Sequence, residues 1–266
     1  MLTLEDMKKA IKADHETKNL NISDLDVVRV YRYLLERDKD HQETGFYPVL
    51  LTDPYIEIVY RPTQEKLKEI RQARIRQYLK FFDSELYIQD ASLDDFYVNN
   101  ESRKKAHLLA TDFLETYRKD RYAKGLYIYG MYRTGKSYLL SAIAKALAEQ
   151  DFSVLFVYMP DLVRSIRQGM NEGNLEERIN RLKQADVLML DDFGGENISM
   201  WFRDEVIVPV LQYRLSAQLP VFVSSNFDYT QLLNAMMIDR NDINRSKAVR
   251  LLARIKDLMT PVQLAE

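Results

Sequence analysis

Gly130-Met131-Tyr132-Arg133-Thr134-Gly135-Lys136-Ser137 fits the pattern GxxxxGKS and directly follows the apolar run Leu126–Tyr129. A helix-forming stretch comes next, with Leu139, Leu140, Ile143 and Leu147 on one side. Strand, glycine-bounded loop and helix, in that order, gather inward-pointing backbone N–H groups and the positive end of a helix around one point. Such a point suits a polyphosphate. Gly130 and Gly135 let the backbone turn closely, and Met131, Tyr132, Arg133 and Thr134 contribute the amides between them. Lys136 is expected to reach the β- and γ-phosphates as a charged donor, and the Ser137 hydroxyl to ligate Mg²⁺. The expected ligands are ATP and Mg²⁺.

On either side of this motif the texture repeats. Leu126–Tyr129, Val154–Tyr158, Val187–Leu190 and Val221–Val223 are short, continuously apolar and separated by helical stretches. A strand that is apolar without alternation is covered on both faces, so these runs predict an α/β fold: a parallel sheet flanked by helices. Val187-Leu188-Met189-Leu190 ends in Asp191-Asp192. Two carboxylates at the end of a buried strand are costly unless something compensates them, and a metal ion would. Asp191 is placed to hold Mg²⁺, and Asp192 to orient or deprotonate an attacking water. Ser224-Ser225-Asn226 follows Val221–Val223, at the strand end where ligands bind in such sheets, so Asn226 could position water against the γ-phosphate. From Ala248 a further helix puts Arg250 and Arg254 on one face at i, i+4. They are either arginine fingers toward a neighbouring subunit's nucleotide or a basic solvent face.

Before residue 82 the pattern is helical instead. Leu4, Met7 and Ile11 repeat at helical spacing, and a second run begins at Ser23 as N-cap with Leu25, Val28, Tyr31 and Leu35 following. Tyr55–Tyr60 is a short β-like run among three prolines. A longer helix is expected over 63–82; six basic residues against Glu65 and Glu69 give it a solvated face or a partner surface. An acidic connector, Gln89–Phe96, leads into the α/β part.

Composition is that of an ordinary globular protein: 266 residues, 46% apolar, 29% charged, net charge −2. The chain as a whole is no polyanion binder, so any nucleic-acid surface must be local. The absence of cysteine excludes disulfides, thiolate nucleophiles and cysteine-ligated zinc or iron–sulfur sites. The first residues lack the basic and apolar regions of a signal peptide, and no apolar run approaches bilayer length. A cytoplasmic location without a membrane partner is expected.

These pieces, in this order, resemble AAA+ ATPases. The wording LMLDDFGGE from Leu188 to Glu196 and AVRLLARIKDL from Ala248 to Leu258 resembles one clade, the bacterial helicase loaders of the DnaC/DnaI kind, over roughly 85–266. The resemblance implies a helicase-binding, mostly helical N-terminal domain (1–84), a connector (85–98) and an AAA+ domain (99–266) without a full C-terminal lid. It implies a hexameric replicative helicase and single-stranded DNA as partners, and self-association in the ATP- or helicase-bound state. It makes Asp191 the Mg²⁺ ligand, Asn226 a sensor and Arg254 an arginine finger, with Arg250 nearby. Ser199-Met200-Trp201 aligns with residues that contact single-stranded DNA, which assigns that role to Ser199 and Trp201; Trp201, the only tryptophan, either stacks on a base or anchors the core.

Two departures stand out. The family's N-terminal domain often carries a cysteine-ligated zinc; this chain has no cysteine, and His15, His41 and His107 are scattered, so no zinc is expected and core packing must substitute. Many relatives end the acidic strand in Asp-Glu, whereas here Asp191-Asp192 puts a shorter carboxylate in the catalytic position. Partner-stimulated, weak hydrolysis is expected, with an ATP-binding switch of little turnover as an alternative. A transposition-helper ATPase of the same clade is the other alternative. A small-metabolite kinase would need an arginine-rich lid that is not seen.

Overall fold

The computed structural model describes residues 3–41, 43–82, 88–118, 121–195, 198–237 and 242–265. The chain divides into two compact units, Met1–Ala73 and Arg74–Glu266. The expected domain boundary at 84–85 lies outside the described residues.

The first unit contains helices α1 (Leu4–Ala13) and α2 (Val27–Arg37) and an antiparallel hairpin of β1 (Phe46–Leu51) and β2 (Glu57–Pro62). Thr3 caps α1 in a reciprocal box with Asp6, which satisfies two of the helix's free N–H groups. Ile11, Val27, Val30 and Ile56 form its small core. The inward face of α2 differs from the expected one. Val27, Val30 and Tyr33 are buried, while Leu25 is 92% exposed and Val28 and Leu35 are also exposed. Apolar residues lie on both sides of this helix, so periodicity alone left two faces open; packing against Ile11 and Ile56 selects the one one residue earlier. Asp26, not Ser23, is the residue before the first turn, and the Ser23 hydroxyl donates to its carboxylate at 2.6 Å. Arg37 adds a polar fastener, donating to Asp14 at 2.8 Å and Glu16 at 3.0 Å.

Helix α3 (Gln64–Tyr78) crosses the division between the units. It stops short of the expected 82, because Leu79–Phe81 forms β3, the edge strand of the main sheet, in parallel register with Val154–Phe156. Burial of Leu79 and the backbone bonds to a neighbouring strand outweigh another helical turn.

The second unit continues with α4 (Glu101–Thr116), β4 (Gly125–Tyr129), α5 (Lys136–Glu149), β5 (Val154–Tyr158), α6 (Met159–Glu172), α7 (Leu175–Gln184) and β6 (Val187–Asp191). A π-helical turn, Phe202–Ile207, then runs into α8 (Val208–Ser216). After it come β7 (Val221–Ser225), α9 (Tyr229–Met236), α10 (Asp242–Leu258) and β8 (Met259–Gln263). The six strands pair in parallel in the order β3-β5-β6-β7-β4-β8.

Alternate residues of the four inner strands feed two separate cores. Leu126, Ile128, Met189 and Phe222 pack with α4 and α5, while Tyr127, Leu188, Leu190 and Val223 pack with α6 to α10. Cover on both faces is the reason these strands read as unbroken apolar runs. The tail also belongs to the sheet: β8 pairs with β4 at the outer edge, where Pro261 needs no N–H partner on its open side.

Candidate nucleotide site

Loop 130–135 leaves β4 between its two neighbours, β7 and β8. Gly130 has φ +157°, and a Cβ there would lie 2.1 Å from the Leu264 carbonyl oxygen. Only glycine fits: Leu264 N–H donates to the Tyr129 carbonyl at 2.7 Å, and Gly130 N–H donates to Ser225 at 3.2 Å. Gly135, at φ +90°, turns the chain into α5. Inside the loop the Thr134 hydroxyl donates to the Met131 carbonyl at 3.0 Å. The Lys136 ammonium folds back over it, donating to the carbonyls of Gly130 (3.0 Å) and Met131 (2.6 Å). Burial lowers the pKa of Lys136, and the charges of Asp192 and Asp191 pull it partly back.

Opposite the lysine stand the carboxylates. Asp191 is buried at the end of β6 and accepts hydrogen bonds from the hydroxyls of Ser137 (2.9 Å) and Ser224. Burial raises its pKa, and the two hydroxyls counter that only in part. A hard divalent cation prefers oxygen donors, and Mg²⁺ is usually held by one or two protein oxygens with phosphate and water completing the shell. Ser137 and Asp191 supply that donor set. Among the described residues no group of three or more His, Cys, Asp or Glu side chains could hold a metal by itself.

Asp192 adopts φ +60°, a left-handed conformation uncommon outside glycine, which turns its side chain away from the strand's alternation. Its amide donates to the Ser224 hydroxyl at 2.9 Å, and its carboxylate accepts from Asn226 Nδ2 at 2.9 Å. Asn226 is thus hydrogen-bonded to the candidate base Asp192. Its own loop is fixed from below: the buried Tyr127 hydroxyl donates to the Phe227 carbonyl at 2.7 Å.

Two contributors carry no motif. Ser224 bridges both aspartates. Arg103, in the first turn of α4, stacks over Phe96 at 4.6 Å and donates to the carbonyls of Tyr97 and, at 2.7 Å, Thr134. It pins the segment before α4 against the phosphate loop. Nothing in its spacing distinguishes it from any surface arginine.

The remaining expected residues lie on other elements. Arg250 is exposed on α10; Arg254 donates to Gln212 Oε1 on α8 at 2.7 Å and to the Arg250 carbonyl at 3.1 Å. Ser199 is exposed and its hydroxyl accepts from Phe202 N–H at 3.2 Å, while Trp201 is partly exposed at the start of the π-helical turn. Of the wording LMLDDFGGE, Glu196 lies outside the described residues.

Residues 56–243 match the family model described as IstB-like ATP binding protein. The replicative helicase loader DnaI of Bacillus subtilis (strain 168) is 33% identical over 273 residues, covering 98% of this chain and 88% of that protein. The replicative helicase loader DnaC of Buchnera aphidicola is 30% identical over 61% of this chain and 67% of its own length. A crystal structure of DnaI superposes with a TM-score of 0.66 at 37% identity, covering 71% of this chain and 98% of that one.

Proposed function

This chain belongs to the IstB-like ATP-binding family, among its replicative helicase loaders, and on that premise we propose how its residues hold ATP and act on helicase and DNA. The amides of 130–137 cradle the phosphates at the positive end of α5. Lys136, folded over the loop beside the Gly130 and Met131 carbonyls, donates to the β- and γ-phosphates. Ser137 and Asp191 hold Mg²⁺, which when bound offsets phosphate charge. Asp192, oriented by Asn226, accepts the proton of the attacking water. Arg254, with Arg250 beside it, leaves Gln212 to complete the nucleotide site of a neighbouring copy, so that nucleotide state sets self-association.

The first unit binds the hexameric replicative helicase. Ser199 and Trp201 contact single-stranded DNA, with Trp201 able to stack on a base. Loading takes place in the cytoplasm, and hydrolysis is slow until helicase and DNA are present. What carries this reading is the Ser137 hydroxyl on the Asp191 carboxylate at 2.9 Å, across from a lysine already inside the phosphate loop. A transposition helper of the same clade is the second reading, supported by the putative insertion sequence ATP-binding protein y4uH of Sinorhizobium fredii, which is 38% identical over 24% of this chain. The family model leaves residues 1–55 outside, whereas the loader match runs through 98% of the chain, which favours the loader.

The test is capture from lysate with wild type and Lys136→Ala, each with and without Mg·ATP. Recovery of a replicative helicase whose amount depends on nucleotide only in the wild type supports the reading. Recovery of a transposase, or no uptake of Mg·ATP by the folded wild type in calorimetry, overturns it.

A further inference from the structure

The first turn of α4 borders the phosphate loop at two places. Asn100 caps the helix, its Oδ1 accepting from the Arg103 N–H at 2.9 Å and from the Ser102 hydroxyl at 2.8 Å. Ser102 in turn accepts the Ala265 N–H at 3.0 Å, next to the Leu264 that walls Gly130. At the other end of the loop stands the Arg103 guanidinium. Its Nη1 donates to the Thr134 carbonyl at 2.7 Å, and a Cβ built on Gly135 would meet Nη2 at 3.6 Å and Nη1 at 3.8 Å. The cation thus lies against the Thr134–Gly135 peptide.

Two further contacts fix it there. Nε donates to the Tyr97 carbonyl, and the guanidinium covers the Phe96 ring at 4.6 Å. Phe96 is itself buried, stacked against His107 of α4 at 6.3 Å and Tyr138 of α5 at 6.2 Å. A planar fork held on a ring face and on two carbonyls has one arrangement open to it, which a flexible ammonium would not.

The Thr134 carbonyl and the Gly135 N–H are opposite ends of one rigid, planar peptide. That N–H is among the amides that enclose phosphate at the start of α5. A donor on the carbonyl end polarises the whole unit and strengthens its N–H as a donor in turn. The effect is larger when the donor is charged, because such bonds are roughly twice as strong as neutral ones.

We propose that Arg103 is a positioning residue for the phosphate chain: acting through the backbone, it orients and polarises the Thr134–Gly135 peptide and so raises the affinity of the loop for phosphate. The inference rests on the nucleotide reading above and deepens it. Because Arg103 acts on the loop and not on base or sugar, its contribution belongs equally to a ligand made of the phosphates alone.

The test is calorimetric titration of the full chain with Mg·ATP and with Mg·tripolyphosphate, beside thermal unfolding of the free proteins. Arg103→Met should weaken both ligands by one common factor, on the order of tenfold, or about 1.4 kcal/mol. Arg103→Lys keeps the charge without the fork and should bring both affinities back to within about threefold of wild type. Arg103→Gln, neutral yet able to donate to the same carbonyl, should lose most of the factor and carries the test if Arg103→Met does not fold. A folded neutral variant that binds tripolyphosphate as wild type does, a loss confined to ATP, or a lysine variant as weak as the methionine one would overturn the inference. So would a wild type that takes up Mg·ATP but no tripolyphosphate. Wild type that takes up neither would instead refute the nucleotide reading itself.

Discussion

Ser224→Ala removes one oxygen from a fully buried position and should be among the more damaging small changes in the second unit. The hydroxyl donates to Asp191 and accepts from the Asp192 amide at 2.9 Å, so its loss leaves a carboxylate short of a donor and an N–H without an acceptor. A hydrogen bond to a charged group contributes about 1.5–3 kcal/mol and a neutral one about 0.5–1.5, which together give roughly 2–4 kcal/mol. For a unit of this size that lowers the Tm by roughly 5–15 °C. The loss should depend on pH with a definite sign. Burial raises the Asp191 pKa in the folded protein, so the free protein loses stability as pH rises from 3.8 through that raised value and the buried carboxylate ionises. Ser224 stabilises the ionised form, and removing it raises the folded pKa further. Wild type and variant should therefore differ most above that window, and below it, where Asp191 is protonated in both, the gap should shrink to the share of the Asp192 N–H alone. Thermal unfolding of the free proteins across pH, followed by Mg·ATP titration at neutral pH, measures both effects. A difference below about 0.5 kcal/mol, the scatter of ordinary surface substitutions, or one independent of pH, would refute the bridging role.

Gly130→Ala should cost nucleotide binding as well as stability, since its methyl would meet the backbone oxygen of Leu264 at 2.1 Å rather than a side chain that could move; nucleotide titration beside thermal unfolding checks this. Arg254→Ala should abolish ATP-dependent self-association while each copy still takes up Mg·ATP, read by sedimentation and calorimetry on the same samples. In the first unit, Arg37 holds the Asp14 carboxyl well below the usual carboxylate range, so the unit keeps this stabilisation above pH 3.8 and loses it as pH falls further. Arg37→Met should remove that acid step from hydrogen exchange of α1 and α2 amides.

How much of this was legible beforehand follows from what each residue's role depends on. β4, the phosphate loop, α5, β6 and β7 were readable because a strand covered on both faces and a loop shaped for phosphate constrain residue types locally. β3 and β8 were not. Leu79-Lys80-Phe81 continues the apolar spacing of α3 and becomes a strand only because β5 offers a free edge. Met259–Gln263 contains a proline and looks like a tail until β4 is beside it. The inward face of α2 was misread because Leu25, Val28 and Leu35 offer a rival stripe. Ser224 and Arg103 escaped notice for a related reason: a serine between aspartates, or an arginine over a loop carbonyl, acquires its role from segments distant in sequence. Likewise, no spacing rule could reveal that Arg203, in the π-helical turn, is a buried cation rather than a surface one.

The contact between Gly130 and Leu264 also orders events in biosynthesis. The loop that grips phosphate is made near the middle of the chain, but the strand that walls it, β8, follows far later. A nascent or truncated chain that ends before Met259 carries every residue of the phosphate motif yet lacks its side support. Such a chain should take up Mg·ATP more weakly than the full one, a difference that titration of the two side by side would measure.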